Sequence, residues 1–587
     1  MTSLLADIIG RAGAAVPHAG DVREEPVPAD IFNLADIALD VARRDPERIA
    51  VIAPRGRERG GARRYVRHTY RELSAEVEAV AVGMRELGIA ERTRTVFMAP
   101  PSYAGCVAGL ALTRVGATTV WIDPSVGYRN VAERLRRLDI EAFVGIPLAH
   151  LARACFGWGP RLLAKTVVVG GRIPGLTSLE ALRRRAPDQP GAPAVAPGDA
   201  AAIMYTTGST GPAKPTLYEH RNMCGIFRIA HRTWRFEPGT VPVDMPVFPA
   251  FFSIGLSAGG TIVIPPIDYV RQGPADVDPR ALVEVIRDCS VQTLFASPVI
   301  LENLARLGRD EGVTAPSLRT VIGGGAPMYG DVIGPLRAMI GGEVHADYGA
   351  TEALPATEMT GAEAMAETYA ATARGAGLCV GHPFEGVAVK VIAFTDGPIA
   401  TLADARVLPE TEIGELVVRG PHVSPAYAGD LENTRKHKIR DADGGVWHRL
   451  GDAGYLDEHG RVWCCGRAGH RVVTASGVLF PLMCEPIFDA HPRVRRSGLV
   501  GVGTLPVICV ELVGRGGDLD ALRAQLLELA GAHAVTRPIR HVLFRKHLPV
   551  DPRHNSKIER PALARWAATE LRREQRWRPL RQVVAMV

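Results

Sequence analysis

The stretch Met204-Tyr-Thr-Thr-Gly-Ser-Thr-Gly-Pro-Ala-Lys214 decides how this chain is read. It crowds hydroxyl side chains, two glycines and a lysine into one short loop. The apolar run before it, Ala201-Ala-Ile-Met-Tyr205, reads as a buried strand. Glycines let a backbone approach a polyphosphate, and loop N–H groups and hydroxyls can bind its oxygens. The lysine adds a point charge for the same phosphates. The second glycine is not followed by Lys-Ser/Thr, so this is not the Walker A arrangement. Taken alone, the loop reads equally well as a polar surface turn.

Upstream, strands and helices alternate between about residues 65 and 180. Thr69-Tyr-Arg-Glu72 reads as a capping box, and Leu73, Val77, Val80, Met84 and Leu87 follow at helical spacing, with Gly88 as the stop. Val96–Met98, Thr118–Ile122 and Phe143–Ile146 read as strands, and Val107–Val115 and Arg129–Leu138 as helices. Such alternation predicts a mostly parallel sheet with helices on both faces. The Pro/Ala/Gly-rich stretch from 183 to 200 reads as a connector, after which the alternation resumes to about 350. Shorter strands with denser punctuation between 375 and 465 predict a smaller β-rich subdomain. Past Arg467 about a hundred residues remain, enough for a small separate domain. The expected fold class is therefore α/β: a large N-terminal domain of two doubly wound sheets plus a β-rich subdomain (residues 1–466), and a small α+β C-terminal domain (467–587), whose mobility is implied only by the family resemblance given below.

At 587 residues the chain exceeds one core. Its 47% hydrophobic and 22% charged residues are those of a soluble globular protein, and a net charge of +6 with interspersed signs suits small anionic ligands without demanding nucleic acid. The basic stretch Arg572–Arg578 reads first as a solvated helix end, with an RNA or acidic surface as the alternative. Nine cysteines without paired or zinc-type spacing read as reduced thiols of a cytoplasmic enzyme. The N-terminus lacks the order of a signal peptide, and no apolar run is long enough to span a bilayer.

Four more polar islands lie downstream. In Gly323-Gly-Gly-Ala-Pro327 the absence of side chains lets a flat base lie on the backbone. In Tyr348-Gly-Ala-Thr-Glu352 an aromatic ring and a carboxylate can stack on a base and hold a magnesium ion. In His448-Arg-Leu-Gly-Asp452, followed by Cys465-Gly-Arg467, Asp452 can accept both ribose hydroxyls, and Arg467 can pair with phosphate or ribose oxygens. In Asn555-Ser-Lys557-Ile558, Lys557 can reach an anionic transition state. Each island singly also reads as an ordinary turn, strand end or surface lysine.

In this order the islands resemble the adenylate-forming superfamily of acyl-CoA synthetases, nonribosomal-peptide adenylation domains and luciferases, over about residues 35 to 565. The resemblance implies ATP and Mg2+, with Thr206, Thr207, Gly208, Ser209, Thr210 and Gly211 around the phosphates and Lys214 beside them. It implies Gly324, Gly325, Ala326, Pro327, Asp347, Tyr348 and Gly349 around the adenine, Thr351 in the cofactor-binding Thr-Glu pair with Glu352, and Asp452 and Arg467 at the ribose. Thr206 and Glu352 would hold the metal. Lys214, Glu352 and Lys557 would be catalytic. Longer strings resemble the olefin-pathway β-lactone synthetases: Glu141–His150 with Phe156–Gly159, Tyr348–Pro355, Ala371–Gly377, Lys438–His448 and Arg553–Lys557. That subfamily activates a β-hydroxy acid as acyl-AMP and closes it to a β-lactone. An acyl- or aryl-CoA ligase, or a ligase loading a carrier protein or amine, shares the first step and is the alternative; a silent binding protein on the same fold is the third. The implied partners are a carboxylic acid, β-hydroxy acyl in the first reading, and pathway enzymes, with no nucleic acid.

Ring closure calls for orientation and a general base; His220, His448, His470 and His554 are candidates. Phe248, Phe251, Phe252 and Leu256 read either as an acyl-facing wall or as core. Two positions depart from the family. Pro215 stands where a glycine usually follows the loop lysine, and proline removes a donor and fixes φ. Gly469 occupies the interdomain hinge position usually held by Asp or Lys.

Overall fold

The computed structural model describes residues 32–123, 127–158, 165–184, 195–206, 213–233, 241–248, 252–514, 517–550 and 557–584. The expected capping box forms at the first long helix, Tyr70–Glu86: the Thr69 hydroxyl accepts the Glu72 N–H at 3.2 Å, and the Glu72 carboxylate accepts the Thr69 N–H at 3.0 Å. Leu73, Val77, Val80 and Met84 are buried along its inner face. The helix expected from Val107 begins earlier, at Tyr103, because the Ser102 hydroxyl caps it by accepting the Gly105 N–H at 3.0 Å.

The first sheet has eight strands. Ala200–Tyr205, Thr118–Trp121, Arg94–Met98, Ala142–Gly145, Thr166–Val168 and Thr177–Ser178 run parallel in that spatial order, as the alternation predicts. Two antiparallel strands extend its other edge. Pro215–Glu219 pairs with Ala200–Tyr205, and Ala426–Tyr427 pairs with Pro215–Glu219.

The second sheet has fourteen strands. Its parallel centre includes Val243–Pro246, Thr261–Val263, Thr293–Ala296, Thr320–Gly324 and Glu343–Ala350. The β-rich segment is joined to it edge to edge. Leu378–Pro383 pairs with Ala353–Thr360 on one side and with Val462–Arg467 on the other. A continuous hydrogen-bonded path therefore fixes Gly323 and Gly324 relative to Asp452 and Arg467.

Beyond the turn Ala468–His470, a three-stranded sheet forms from Val494–Val502, Leu505–Leu512 and His541–Phe544. It packs with the helices Pro481–Asp489, Leu519–Ala532 and Arg560–Val584. Val472, Phe488, Leu499, Ile508 and Leu526 make a separate core there. No described helix is long and apolar enough to cross a membrane. All nine cysteines are free thiols.

Candidate active site

The hairpin Ala200–Tyr205 to Pro215–Glu219 carries the decisive loop. Its base is closed by two hydrogen bonds of 3.0 Å: the Thr206 N–H donates to the Lys214 carbonyl, and the Lys214 N–H donates to the Thr206 hydroxyl. Thr207, Gly208, Ser209, Thr210 and Gly211 lie outside the described residues. Pro215 is the first residue of its strand, a position that tolerates proline, and its carbonyl accepts the Ala428 N–H at 2.8 Å.

Lys214 points its ammonium at His437 Nε2, 3.1 Å away, and lies 5.4 Å from the centre of the Tyr427 ring. Burial pulls the Lys214 ammonium below its ordinary range, against the pull of Glu352. Burial, reinforced by Lys214, holds the His437 pKa at about 3. His437 is therefore neutral and accepts from the lysine.

Glu352 is buried. The Tyr427 hydroxyl donates to Glu352 Oε1, and the Ser424 N–H donates to the Glu352 carbonyl at 2.9 Å. The Tyr218 hydroxyl donates to the Thr351 carbonyl next door. His448 Nε2 stands 3.9 Å from the carboxylate. The buried Lys438 ammonium donates to the Ser424 hydroxyl at 2.8 Å and lies 5.6 Å from the Tyr427 ring centre. Burial brings the Lys438 pKa down to about 7, with Glu352 opposing. One aromatic ring thus faces two ammonium groups while its hydroxyl holds the carboxylate.

Asp452 and Arg467 sit opposite one another on neighbouring strands. Arg467 Nε lies 3.3 Å from Asp452 Oδ1, and the Tyr348 hydroxyl donates to Asp452 Oδ2 at 2.7 Å. Arg467 also donates to the Leu450 carbonyl at 2.8 Å. Asp452, and more weakly Glu352, raise the guanidinium pKa, while Arg467 lowers that of Lys214. The two halves are therefore within electrostatic reach of each other.

Gly324 pairs with Asp347 across parallel strands, and the chain turns at Gly325, φ +92°, before Ala326 and Pro327. A side chain at Gly349 would meet the Ala353 carbonyl oxygen at 2.5 Å, so only glycine fits there. Burial, then the Glu358 charge, pushes the Asp347 carboxyl well above the usual range, and its Oδ1 has no partner among the described residues.

Lys214, Glu352, Tyr348, Thr351, Asp452 and Arg467 therefore share one region. Lys557 is half-buried and precedes Ile558, which bridges Val550 in the C-terminal region, where Arg560 pairs with Glu485, Nη2 to Oε2 at 2.9 Å. Of the histidine candidates, His448 belongs to the cluster. His220 lines an apolar cavity with Phe252 and Leu256. His470 is held at about 4 by burial and the charges of Arg560 and Arg467. His554 and Phe251 lie outside the described residues, and Phe248 packs on Phe295, ring centres 5.4 Å apart. Sequence reasoning missed Tyr427, His437 and the buried role of Lys438. The signal available was their position just before the His448–Asp452 island.

Thr206 and Glu352 supply hard oxygen donors, and Glu352 has one carboxylate oxygen not engaged by Tyr427, which fits a magnesium ion completed by water and phosphate. Among the described residues no group of three His, Cys, Asp or Glu forms an all-protein metal site.

The sequence signature of the family described as AMP-binding enzyme matches residues 39–428. The chain is 39% identical over 553 residues to the olefin β-lactone synthetase of Stenotrophomonas maltophilia (strain K279a), covering 92% of this chain and 98% of that one. It is 39% identical over 555 residues to the olefin β-lactone synthetase of Xanthomonas campestris pv. campestris, with the same coverage. Among solved structures, the amide bond synthetase McbA from Marinactinospora thermotolerans superposes with a TM-score of 0.74 at 21% identity, over 91% of this chain and 99% of that one.

Proposed function

The chain belongs to the family of AMP-binding enzymes, as an AMP-forming synthetase related over nearly its whole length to olefin β-lactone synthetases, and from that premise we propose that it converts a β-hydroxy acid and ATP into a β-lactone, AMP and pyrophosphate. The observation that carries this reading is the relationship across 92% of the chain, joined to the clustering of Lys214, Glu352, Asp452 and Arg467.

A carboxylate is a poor electrophile, because it is anionic and its oxygen leaves badly. Joining it to AMP cancels the charge and supplies a leaving group. Two anions must meet first, so positive charge has to be gathered where charge develops. Lys214 supplies it at the phosphates, and Lys557 bridges carboxylate and α-phosphate. Asp452, oriented by Tyr348 and Arg467, holds the ribose hydroxyls, and the Gly324–Pro327 and Asp347–Gly349 backbones flank the base. Thr206 and Glu352 would hold a magnesium ion, which when bound would neutralise phosphate charge. Tyr427 keeps the Glu352 carboxylate aimed. The domains divide near residue 467. A side chain at Gly469 would meet no atom within 4 Å, so this hinge position is not locked by packing. Closure then needs only the substrate's own hydroxyl, held near the acyl carbon.

The test is product analysis with 3-hydroxydodecanoic acid, ATP and magnesium, with and without coenzyme A. Lactone and AMP in equal amounts without coenzyme A support the reading. Strict dependence on coenzyme A would move the enzyme to the acyl-CoA ligases, several of which are related to this chain at 24–27% identity.

A further inference from the structure

Asp347 and Gly324 sit opposite one another near the carboxyl ends of two parallel strands, the side of an α/β sheet on which ligand crevices form. Side chains alternate along a strand, so Asp347 and Tyr348 point to opposite faces. The Tyr348 hydroxyl goes to Asp452 on one face. On the other, Asp347 stands with Gly324 and Phe295. A Cβ built on Gly324 would lie 3.9 Å from the Asp347 Cβ and 3.8 Å from Phe295 Cζ. These are ordinary contact distances, so the missing side chain leaves room for an apolar group beside the aspartate.

This face belongs to the apolar layer between the two sheets. Phe295 packs there in one core with Ile322, Phe227 and Tyr218, and Phe248 and Met204 lie against it. The layer reaches the reacting end. The Tyr218 hydroxyl donates to the Thr351 carbonyl, next to Glu352, and Met204 is on the strand that leads into the loop ending at Lys214. Asp347 is three residues from the strand end at Ala350, about 10 Å at about 3.3 Å per residue. An aspartate side chain, a hydrogen bond of about 2.8 Å and the bonds from an acyl carbon to its β-oxygen span that distance. Asp347 through Thr351 are all half-buried, so this stretch borders open space.

The Asp347 carboxyl is the unsatisfied polar group here. Its Oδ1 is enclosed and has no partner among the described residues. His345, two residues back on the same face, is committed, with Nδ1 2.8 Å from Glu358 Oε1. Burial, then the Glu358 charge, favours the protonated form of Asp347, and a protonated carboxyl can both donate to and accept from a hydroxyl.

We propose that the Asp347 carboxyl recognises the β-hydroxyl of the substrate, holding it by a hydrogen bond while the rest of the chain runs along the Phe295 layer. This rests on the β-hydroxy acid reading above and deepens it. An acid without the hydroxyl leaves the carboxyl unpartnered, and a site built around a hydroxyl rejects such an analogue. Asp347 is thus a specificity and positioning residue: it orients the oxygen that closes the ring and takes no proton itself.

The test uses the full-length protein and the exchange of pyrophosphate into ATP, which reads acyl-AMP formation alone. The quantity is the ratio of kcat/KM for 3-hydroxydodecanoic acid to that for dodecanoic acid. The parent should prefer the hydroxy acid. Asp347→Ala should cut the ratio by about 10- to 100-fold, the range for a buried polar group that loses its partner. Asp347→Asn, whose amide still donates and accepts, should stay within about threefold of the parent ratio. A disturbed nucleotide site or fold lowers both acids alike and leaves the ratio where it was, and that result would overturn the assignment. So would a parent with no preference for the hydroxy acid, or an asparagine variant that loses as much of the ratio as alanine. A parent that makes acyl-AMP and no lactone would instead refute the lactone reading, while the ratio still judges Asp347.

Discussion

Replacing Tyr427 with phenylalanine deletes one hydroxyl and leaves the ring. The ring keeps its two ammonium neighbours at 5.4 and 5.6 Å. What disappears is the donor to Glu352 Oε1, in a carboxylate only 7% exposed whose neighbour His448, kept neutral by burial, stands 3.9 Å off. A hydrogen bond to a charged acceptor contributes about 1.5–3 kcal/mol. At 1.36 kcal/mol per tenfold, that is about 10- to 150-fold. If Glu352 acts in adenylation, the loss appears in kcat/KM for pyrophosphate exchange into ATP. Tyr427→Leu, which also removes both cation–π contacts, should lose more. An exchange rate within twofold of the parent in a folded Tyr427→Phe protein would refute the argument that this hydroxyl aims the carboxylate.

Lys557→Ala should lower pyrophosphate exchange by about 10²- to 10³-fold, the effect of deleting one preorganised charge donor, with an unchanged far-ultraviolet circular dichroism spectrum. A global loss of helix signal would instead make Lys557 a structural residue. Lys438→Met tests the buried ammonium through stability. The folded pKa of about 7 lies below the unfolded value of 10.5, so between these pH values the unfolded chain holds a proton that the folded one has released. Raising pH through that window therefore favours the folded state of the parent. The urea midpoint of the parent should climb relative to Lys438→Met from pH 7 to pH 9, and a flat or falling difference would contradict the burial argument.

The scaffold was legible where local chemistry dictates it. The Thr69 capping box and the spacing of Leu73, Val77, Val80 and Met84 specify a helix without tertiary help. Asp452 and Arg467 were also recoverable, because the turn around Gly460 folds their strands into a hairpin that sets them opposite one another. Tyr427 was not recoverable that way. It reaches Glu352 because Ala426–Tyr427 adds to the edge of the first sheet beside Thr216 and Leu217, a pairing over two hundred residues that no local periodicity encodes. Lys438 closes the basic run Arg435-Lys436-His437-Lys438, which in sequence resembles a solvated helix end. Only the ladder with Val446–Leu456, which sets Lys438 opposite His448, turns it inward.

The most direct measurement follows the oxygen atoms. The substrate carboxylate is labelled in both positions with heavy oxygen and turned over with ATP, magnesium and no coenzyme A. Attack on phosphorus followed by closure through the substrate's own hydroxyl puts one label in the phosphate of AMP and the other in the lactone carbonyl, leaving the ring oxygen unlabelled. Unlabelled AMP, or label in the ring oxygen, would contradict the account.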